Sequence, residues 1–421
     1  MKRKLLWTGG ILAALLLLPV LAVLTVMLLI DPNRFRGQIE SAARERLGIA
    51  LQLQGDLRWQ WWPLLSIDIG NGRIADPAGG TPLVTWQQLS LGAAWAPLLH
   101  RQFVADRVEV QGLALSLSRD ANGRGNWQAL LDEIARRNAS PPAQPAAAPS
   151  PLQVNSLRLR EAQLQFADAA NGATWRLQNL DLDTGFRYEG ASSAASVDGV
   201  QLSATVIGGS FPPTGVPVNF ETGSIAYAGQ TGTLQMPAWT LDLGNARISG
   251  EQSGALGLSP LSGAGTLKVE SPSVRELLVT LGITAPPTRD RNVLGKLTLE
   301  TAWSLAAMKL NLSMLKIVAD DTTLTGAAMW PLDQSTSAML ELVGDTVDFD
   351  RYLRPDDDPG EPFSLPIEAL RAVDLNGSVA FATVNMRGLI VRGARFRLYS
   401  DDGEVEASSA RGTAGRAGAL P

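Results

Sequence analysis

The chain has no cysteine and one histidine, His100. Without thiols there can be no disulfide, iron–sulfur cluster, cysteine nucleophile or lipid-modified cysteine, so stability must come from burial and sheet pairing. One imidazole rules out a histidine-rich metal site, and His100 closes Trp95-Ala-Pro-Leu-Leu-His100, where it reads as a polar turn residue rather than a general base. Charge is also sparse, at 18% of residues, yet hydrophobic residues reach 45%, which excludes a disordered or supercharged chain. The net charge is −5, and Lys2, Arg3 and Lys4 precede everything else, so the remainder is more acidic still. That balance argues against nucleic acid as a partner, which needs a basic face. The expectation is of no catalytic residue, no cofactor and no metal site: not an enzyme.

What the sequence does have is an uncharged run over residues 5–30, directly after the basic cluster. At about 1.5 Å per residue it crosses the ~30 Å hydrocarbon core with tilt to spare. The basic cluster keeps the N-terminus in the cytoplasm and sends the rest across the membrane. A cleaved signal peptide is the rival reading, but its apolar core is shorter and ends in a small-x-small site. The distal end, Thr25-Val-Met-Leu-Leu-Ile30, offers none. An uncleaved transmembrane anchor is therefore expected, with Pro19 tolerated inside it.

Beyond the run, Asp31-Pro32 forms a helix start, Phe35, Ile39, Ala43 and Leu47 recur at helical spacing, and Gly48 stops the helix. From residue 50 the period becomes two. Leu51, Leu53, Leu57 and Trp59 alternate with Gln52, Gln54, Arg58 and Gln60 across Gly55-Asp56, and similar texture returns through Phe396-Arg-Leu398. Half-buried antiparallel strands joined by Gly, Asn and Asp turns follow from this pattern. An internal repeat sharpens the reading. Residues 108–123, VEVQGLALSLSRDANG, align without gaps on 157–172, LRLREAQLQFADAANG, at an offset of 49, and LIVRGARFRLYSDDG from Leu389 is a weaker third copy. Such repetition favours an elongated array.

Helical faces interrupt the β texture at 127–137 and at 273–281, the second beginning at Ser271-Pro272. Residues 139–151, ASPPAQPAAAPSP, form a Pro/Ala linker. The expected organisation is an anchor over 1–30, a β region over 31–138, the linker over 139–151, β repeats over 152–406 and a disordered tail over 407–421. The fold class is mainly β, a single transmembrane helix followed by an elongated antiparallel β array with short helices.

Candidate ligand sites are few. Asp356-Asp357-Asp358 lies between Pro355 and Pro359-Gly360 and lacks calcium-loop spacing, so it reads as a solvated loop. Gly208-Gly209 and the glycine-rich stretch 250–265 lack the lysine or strand–helix context of a phosphate loop and read as turns. Trp59, Trp61 and Trp62 stand near the anchor, where an interfacial and a core role are equally open.

Several segments resemble the AsmA family of bacterial envelope proteins. They are DPNRFRGQIE after the anchor, LGIALQLQGDLRWQWWPLLSIDIGNGRIADP, and APLLHRQFVADRVEVQGLALSLSRDANGRGNWQALL with Asp120 and Gly123-Arg-Gly-Asn-Trp127. GTLKVESPSVRELLVTLGITAPPTRD and VDFDRYLRP continue the series. The resemblance implies a protein of the inner membrane whose bulk is periplasmic, with the curved β form of bridge-like lipid-transfer proteins. It also implies partners: phospholipid, the inner membrane and outer-membrane assembly proteins. A groove of this kind needs continuous apolar lining and no catalytic residue. The alternative from another class is a non-transporting scaffold or regulator of outer-membrane protein assembly. Family members usually continue into further β repeats, whereas Ser408–Pro421 has neither strand alternation nor a helical face, so a truncated or frame-shifted end is expected.

Overall fold

The computed structural model describes residues 31–60, 65–75, 82–93, 105–139, 152–189, 193–209, 211–255, 262–332, 337–355, 375–401, 404–409 and 413–416. The expected anchor at 1–30 and linker residues 140–151 lie outside these, as do Trp61, Trp62, His100 and Asp356–Asp358. Among the described residues no helix is long and apolar enough to cross a membrane. The chain divides into two units, residues 1–146 with 153–173, and residues 147–152 with 174–421.

The first unit opens as its sequence dictates. Asp31 caps a 3-10 turn, Pro32–Phe35, by accepting from the Asn33 N–H, and helix α1 (Arg36–Ala42) follows. A π turn, Ala43–Leu47, ends at Gly48 with φ 70°. Eight short strands come next: β1 (Leu51–Leu53), β2 (Leu57–Gln60), β3 (Leu65–Ile69), β4 (Gly72–Ile74), β5 (Val84–Trp86), β6 (Gln88–Ala93), β7 (Ala105–Gln111) and β8 (Ala114–Arg119). Helix α2 (Gln128–Ala139) precedes the long strand β9 (Leu152–Asp168). Pairing joins β1 with β4, β2 with β3, β4 with β5, β3 with β6, β5 with β8 and β6 with β7, all antiparallel.

The short strands are therefore halves of longer ones, each interrupted along one line: Gly55, Gly70-Asn71, Gln87 and Gly112. At Gly55 and Gly70 the two backbones touch; a Cβ on Gly70 would stand 2.8 Å from the Gly55 Cα, so only glycine fits. A core of Leu53, Leu57, Ile69 and Trp86 lies beneath, with Ile39 of α1 packed against it.

The sequence repeat acquires a structural meaning in β9. It runs parallel to β7 and β8, pairing Val108 with Leu157, Val110 with Leu159, Leu115 with Leu164 and Leu117 with Phe166. The two copies lie side by side at their own alignment offset, and the left-handed Gly112 (φ 62°) stands beside the left-handed Glu161 (φ 52°). The expectation of purely antiparallel strands is corrected here. A helix-containing connection between β8 and β9 permits a parallel return that no tight hairpin could make. It also places β9, from 153 onward, with the first unit rather than with the repeats after the linker.

The second unit holds β10 (Ala173–Glu189), β11 (Ala194–Gly208), β12 (Val216–Ala228), β13 (Thr233–Leu243), β14 (Ala246–Ala255), β15 (Ser262–Ser271), helix α3 (Val274–Thr280), β16 (Leu297–Ala306), β17 (Lys309–Ala319), β18 (Thr322–Pro331) and β19 (Ala338–Asp348). Each of these strands pairs antiparallel with the next. Then β20 (Leu375–Met386) joins β19 in parallel, a second correction, and β21 (Leu389–Asp401) returns antiparallel. The ladder is unclosed: no described pairing joins β10 to the last strands.

Within the expected tail, the described residues 407–409 and 413–416 are strand. β22 (Glu404–Ser409) and β23 (Thr413–Arg416) both pair with β21, one on each half, because its outer backbone groups offer partners that outweigh poor strand propensity. Helix α3 is capped by Ser273, two residues later than Ser271, its hydroxyl accepting from the Glu276 N–H. Two further positions correct the glycine reading: 250–255 and 262–265 are strand, not turn. Two of their glycines pair with tryptophans across the ladder, Trp239 with Gly250 and Trp303 with Gly265, and Gly254 pairs with Gly263.

Candidate functional site: an apolar sheet face

The second unit concentrates its apolar side chains on one face. A single transverse row runs Leu182, Leu202, Phe220, Leu241, Ile248, Val269, Leu299, Ile317 and Leu324, each the direct cross-strand partner of the one before. One residue away on every strand, pointing to the opposite face, runs Asp183, Gln201, Glu221, Thr240, Ser249, Lys268, Glu300, Lys316 and Thr325. Side chains of a strand alternate between faces, so one face is hydrocarbon across nine strands while the other is polar. Every member of the apolar row is half-buried. Neighbours in the row cover one another, and the notable contacts of these strands are with their ladder neighbours.

A strict alternation would not keep this face apolar along whole strands, because the sequence changes phase. Apolar positions move from Val197 to Val200, from Met236 to Trp239, from Leu312 to Leu315 and from Val391 to Ala394. At these places the backbone inserts an irregularity. Gly199 (φ 63°), Met314 (φ 50°) and Gly393 (φ 65°) are left-handed, and register shifts occur at Asp183/Gly185, Met236/Trp239 and Leu312/Leu315. At the three register shifts a bulge adds one residue and restores the same face beyond it, whereas at Gly393 the paired strands stay in register. Met314 is 78% exposed, the extra residue turned outward.

The carbonyls freed at these bulges are satisfied by threonines. Thr222 Oγ1 donates to Ala238 O at 2.7 Å, and Thr301 Oγ1 donates to Ser313 O at 3.0 Å; both threonines are buried. Thr184 does the same toward Asp198 O at 3.1 Å. The apolar face is thus held by hydroxyls in strands where simple alternation would place hydrocarbon.

The polar face carries a solvated ion ladder, with Lys268 Nζ 3.0 Å from Glu270 and 3.6 Å from Glu300, and Arg247 2.7 Å from Asp242. The Arg247 guanidinium, bonded to Asp242, holds that carboxyl below the usual range. A shallow depression of about 640 Å³ is lined by residues of both rows of parity, Glu221, Thr240 and Ser249 together with Val200, Thr222 and Trp239. Among the described residues no group of three or more His, Cys, Asp or Glu is placed to hold a metal ion.

Gly208 ends β11 and the left-handed Gly209 follows it. A Cβ on Gly209 would meet the Trp175 ring at 2.5 Å, which gives the pair a packing role. Trp59 lies on β2 and is 38% exposed. The phase changes that mark the bulges, each a two-residue gap between apolar positions, are the signal by which the continuous face could have been found.

A mainly β chain with an open mixed sheet, one apolar face and few helices is the architecture defined so far. The AsmA family model matches residues 1–230, over half of the chain, which therefore belongs to the AsmA family. A curated relative, Protein AsmA of Escherichia coli (strain K12), is 35% identical over 104 residues; the match covers 25% of this chain and 17% of that relative. The chain thus spans well under two thirds of that relative's length. No solved structure matches. Family membership is consistent with an envelope protein.

Proposed function

We propose that the chain is an inner-membrane protein of outer-membrane biogenesis, anchored by residues 5–30, whose periplasmic sheet binds or transfers phospholipid along its apolar face. The observation that carries this reading is the row from Leu182 to Leu324, hydrocarbon on every strand, backed by an equally continuous polar row. Burying an acyl chain is favourable by about 0.8 kcal/mol per CH₂, so a site for lipid tails needs length more than it needs any single residue. The bulges support the same reading. A fold that needed only strand pairing would not require each phase change to be matched by a backbone irregularity that keeps one face apolar. No catalytic residue, cofactor or metal enters this mechanism, and the acidic balance leaves no role for nucleic acid.

Mass spectrometry of purified residues 31–421 tests the proposal. Phospholipid is expected to copurify, and lipid-free protein to take it up in vitro. Protein that is lipid-free and takes up none supports the other reading, a scaffold for outer-membrane assembly proteins working through its charged face.

A further inference from the structure

The family-like segment DPNRFRGQIE has a specific structural task. Glu40 Oε1 accepts from the Leu53 N–H at 2.7 Å, Arg36 Nη2 donates to Gly55 O at 2.8 Å, and Asn33 accepts from Leu57 N at 3.0 Å while donating to Leu57 O. Stepping back along the helix from 40 to 36 to 33 therefore steps forward along the strand from 53 to 55 to 57. The helical segment lies antiparallel to β1 and β2, pinned at three places. The described chain begins at Asp31, at the β2 end of this clamp.

At that level the burial of the sheet changes abruptly. The row Leu57–Ile69 is core, with 1% and 6% exposure. The next row, Trp59–Ile67–Leu91, lies on the same face, yet Trp59 is 38% and Leu91 37% exposed. Phe35, on the 3-10 turn entering α1, is 41% exposed. Arg34 is exposed beside it, and Arg58 is exposed on the opposite face of β2.

We infer that this end of the first unit rests on the bilayer, with Trp59, Leu91 and Phe35 at the headgroup–acyl boundary and Arg34 and Arg58 toward anionic headgroups. This rests on reading residues 5–30 as a membrane span. The occupant follows from the hydrogen-bond register: Asp31, which follows the uncharged run in sequence, lies at the end of the first unit where Trp59 and Leu91 are exposed. An amphipathic indole and basic side chains are the chemistry that a membrane interface selects. The three-point clamp then sets the height of the sheet above the membrane.

The lack of native cysteine makes the test direct. Single variants Trp59→Cys, Leu91→Cys, Phe35→Cys, Asn122→Cys and Leu16→Cys of the full chain carry a fluorophore. They are reconstituted in phosphatidylethanolamine–phosphatidylglycerol vesicles doped with nitroxide lipid. Labels at 59, 91 and 35 should be quenched several-fold more than the label at 122, an exposed position on the turn after β8, at the opposite end of the first unit. Quenching at 59, 91 and 35 no greater than at 122, with Leu16 quenched, overturns the contact surface and leaves the span standing. An unquenched label at 16 overturns both. Using three positions guards against one variant that misfolds.

Discussion

Trp239 and Gly250 face each other across β13 and β14, and the indole comes within 3.2 Å of where a Gly250 Cβ would stand. The glycine leaves room for the ring to lie on the sheet, and that room is also limited by Thr266 O at 2.3 Å. Gly250→Val should therefore displace either the ring or the β15 backbone and cost about 1–3 kcal/mol, the usual penalty of overpacking. Urea unfolding monitored by circular dichroism reads the change. A midpoint equal to that of the parent chain would mean that the pair carries no packing.

The hydroxyl of Thr301 bridges Ser313 O and Ala302 O at the β16–β17 bulge. Thr301→Val keeps shape but leaves these carbonyls short of a donor in a buried setting, which costs about 1–3 kcal/mol. Thr301→Ser should recover most of this. Loss in Thr301→Ser with none in Thr301→Val would assign the effect to the methyl group rather than the hydrogen bonds.

Asn33 reads both backbone groups of Leu57 and accepts from Arg36 as well. Asn33→Ala is expected to destabilise the first unit by about 1–3 kcal/mol through unsatisfied groups at the β2 edge. Hydrogen exchange should rise at Leu53–Leu57 and stay unchanged in β14–β16. Uniform exchange across both units would contradict a local clamp.

At the β17–β18 end of the second unit, Asp290 accepts from the Asn292 N–H and from Arg351, which also bonds Asp321. The Asn292 N–H first, and then the Arg351 guanidinium, hold the Asp290 carboxyl below its ordinary value of 3.8. A carboxyl depressed in the folded state contributes stability that is present above the unfolded value and lost as pH falls through the folded one. Stability should thus decline below about pH 4, and Arg351→Gln should flatten that decline. An unchanged acid limb in the variant would show that the pair contributes nothing to it.

Much of this architecture was legible before any coordinates. The helix over 33–47, the helices near 127–137 and 273–281, and the alternating strands follow from local periodicity, which depends on neighbours three, four or two residues apart. Strand direction does not. Val108 and Leu157 give the same alternation whether paired parallel or antiparallel, so the parallel return of β9 stayed hidden although the repeat offset was visible. Glu161 and Met314 are left-handed without being glycine, and neither side chain announces it. Glycine signals a turn locally, whereas Gly250, Gly254 and Gly265 lie within strands because a Cβ would run into the neighbouring backbone, at Thr266 O, Ser262 O and Glu251 O. The strands after residue 403 carry little propensity of their own and depend on the free edge of β21.

The central claim is that the face bearing Leu299 meets hydrocarbon while the face bearing Thr298 meets water. These two neighbours on β16 point to opposite sides of one strand. A photoreactive benzophenone amino acid placed at 299 or at 298 in the full chain, irradiated in cells whose phospholipids carry radioactive phosphate, tests the claim most directly. The account predicts labelled lipid adducts from position 299 and none above background from position 298. Equal labelling at both positions, or no labelling at 299, would contradict it.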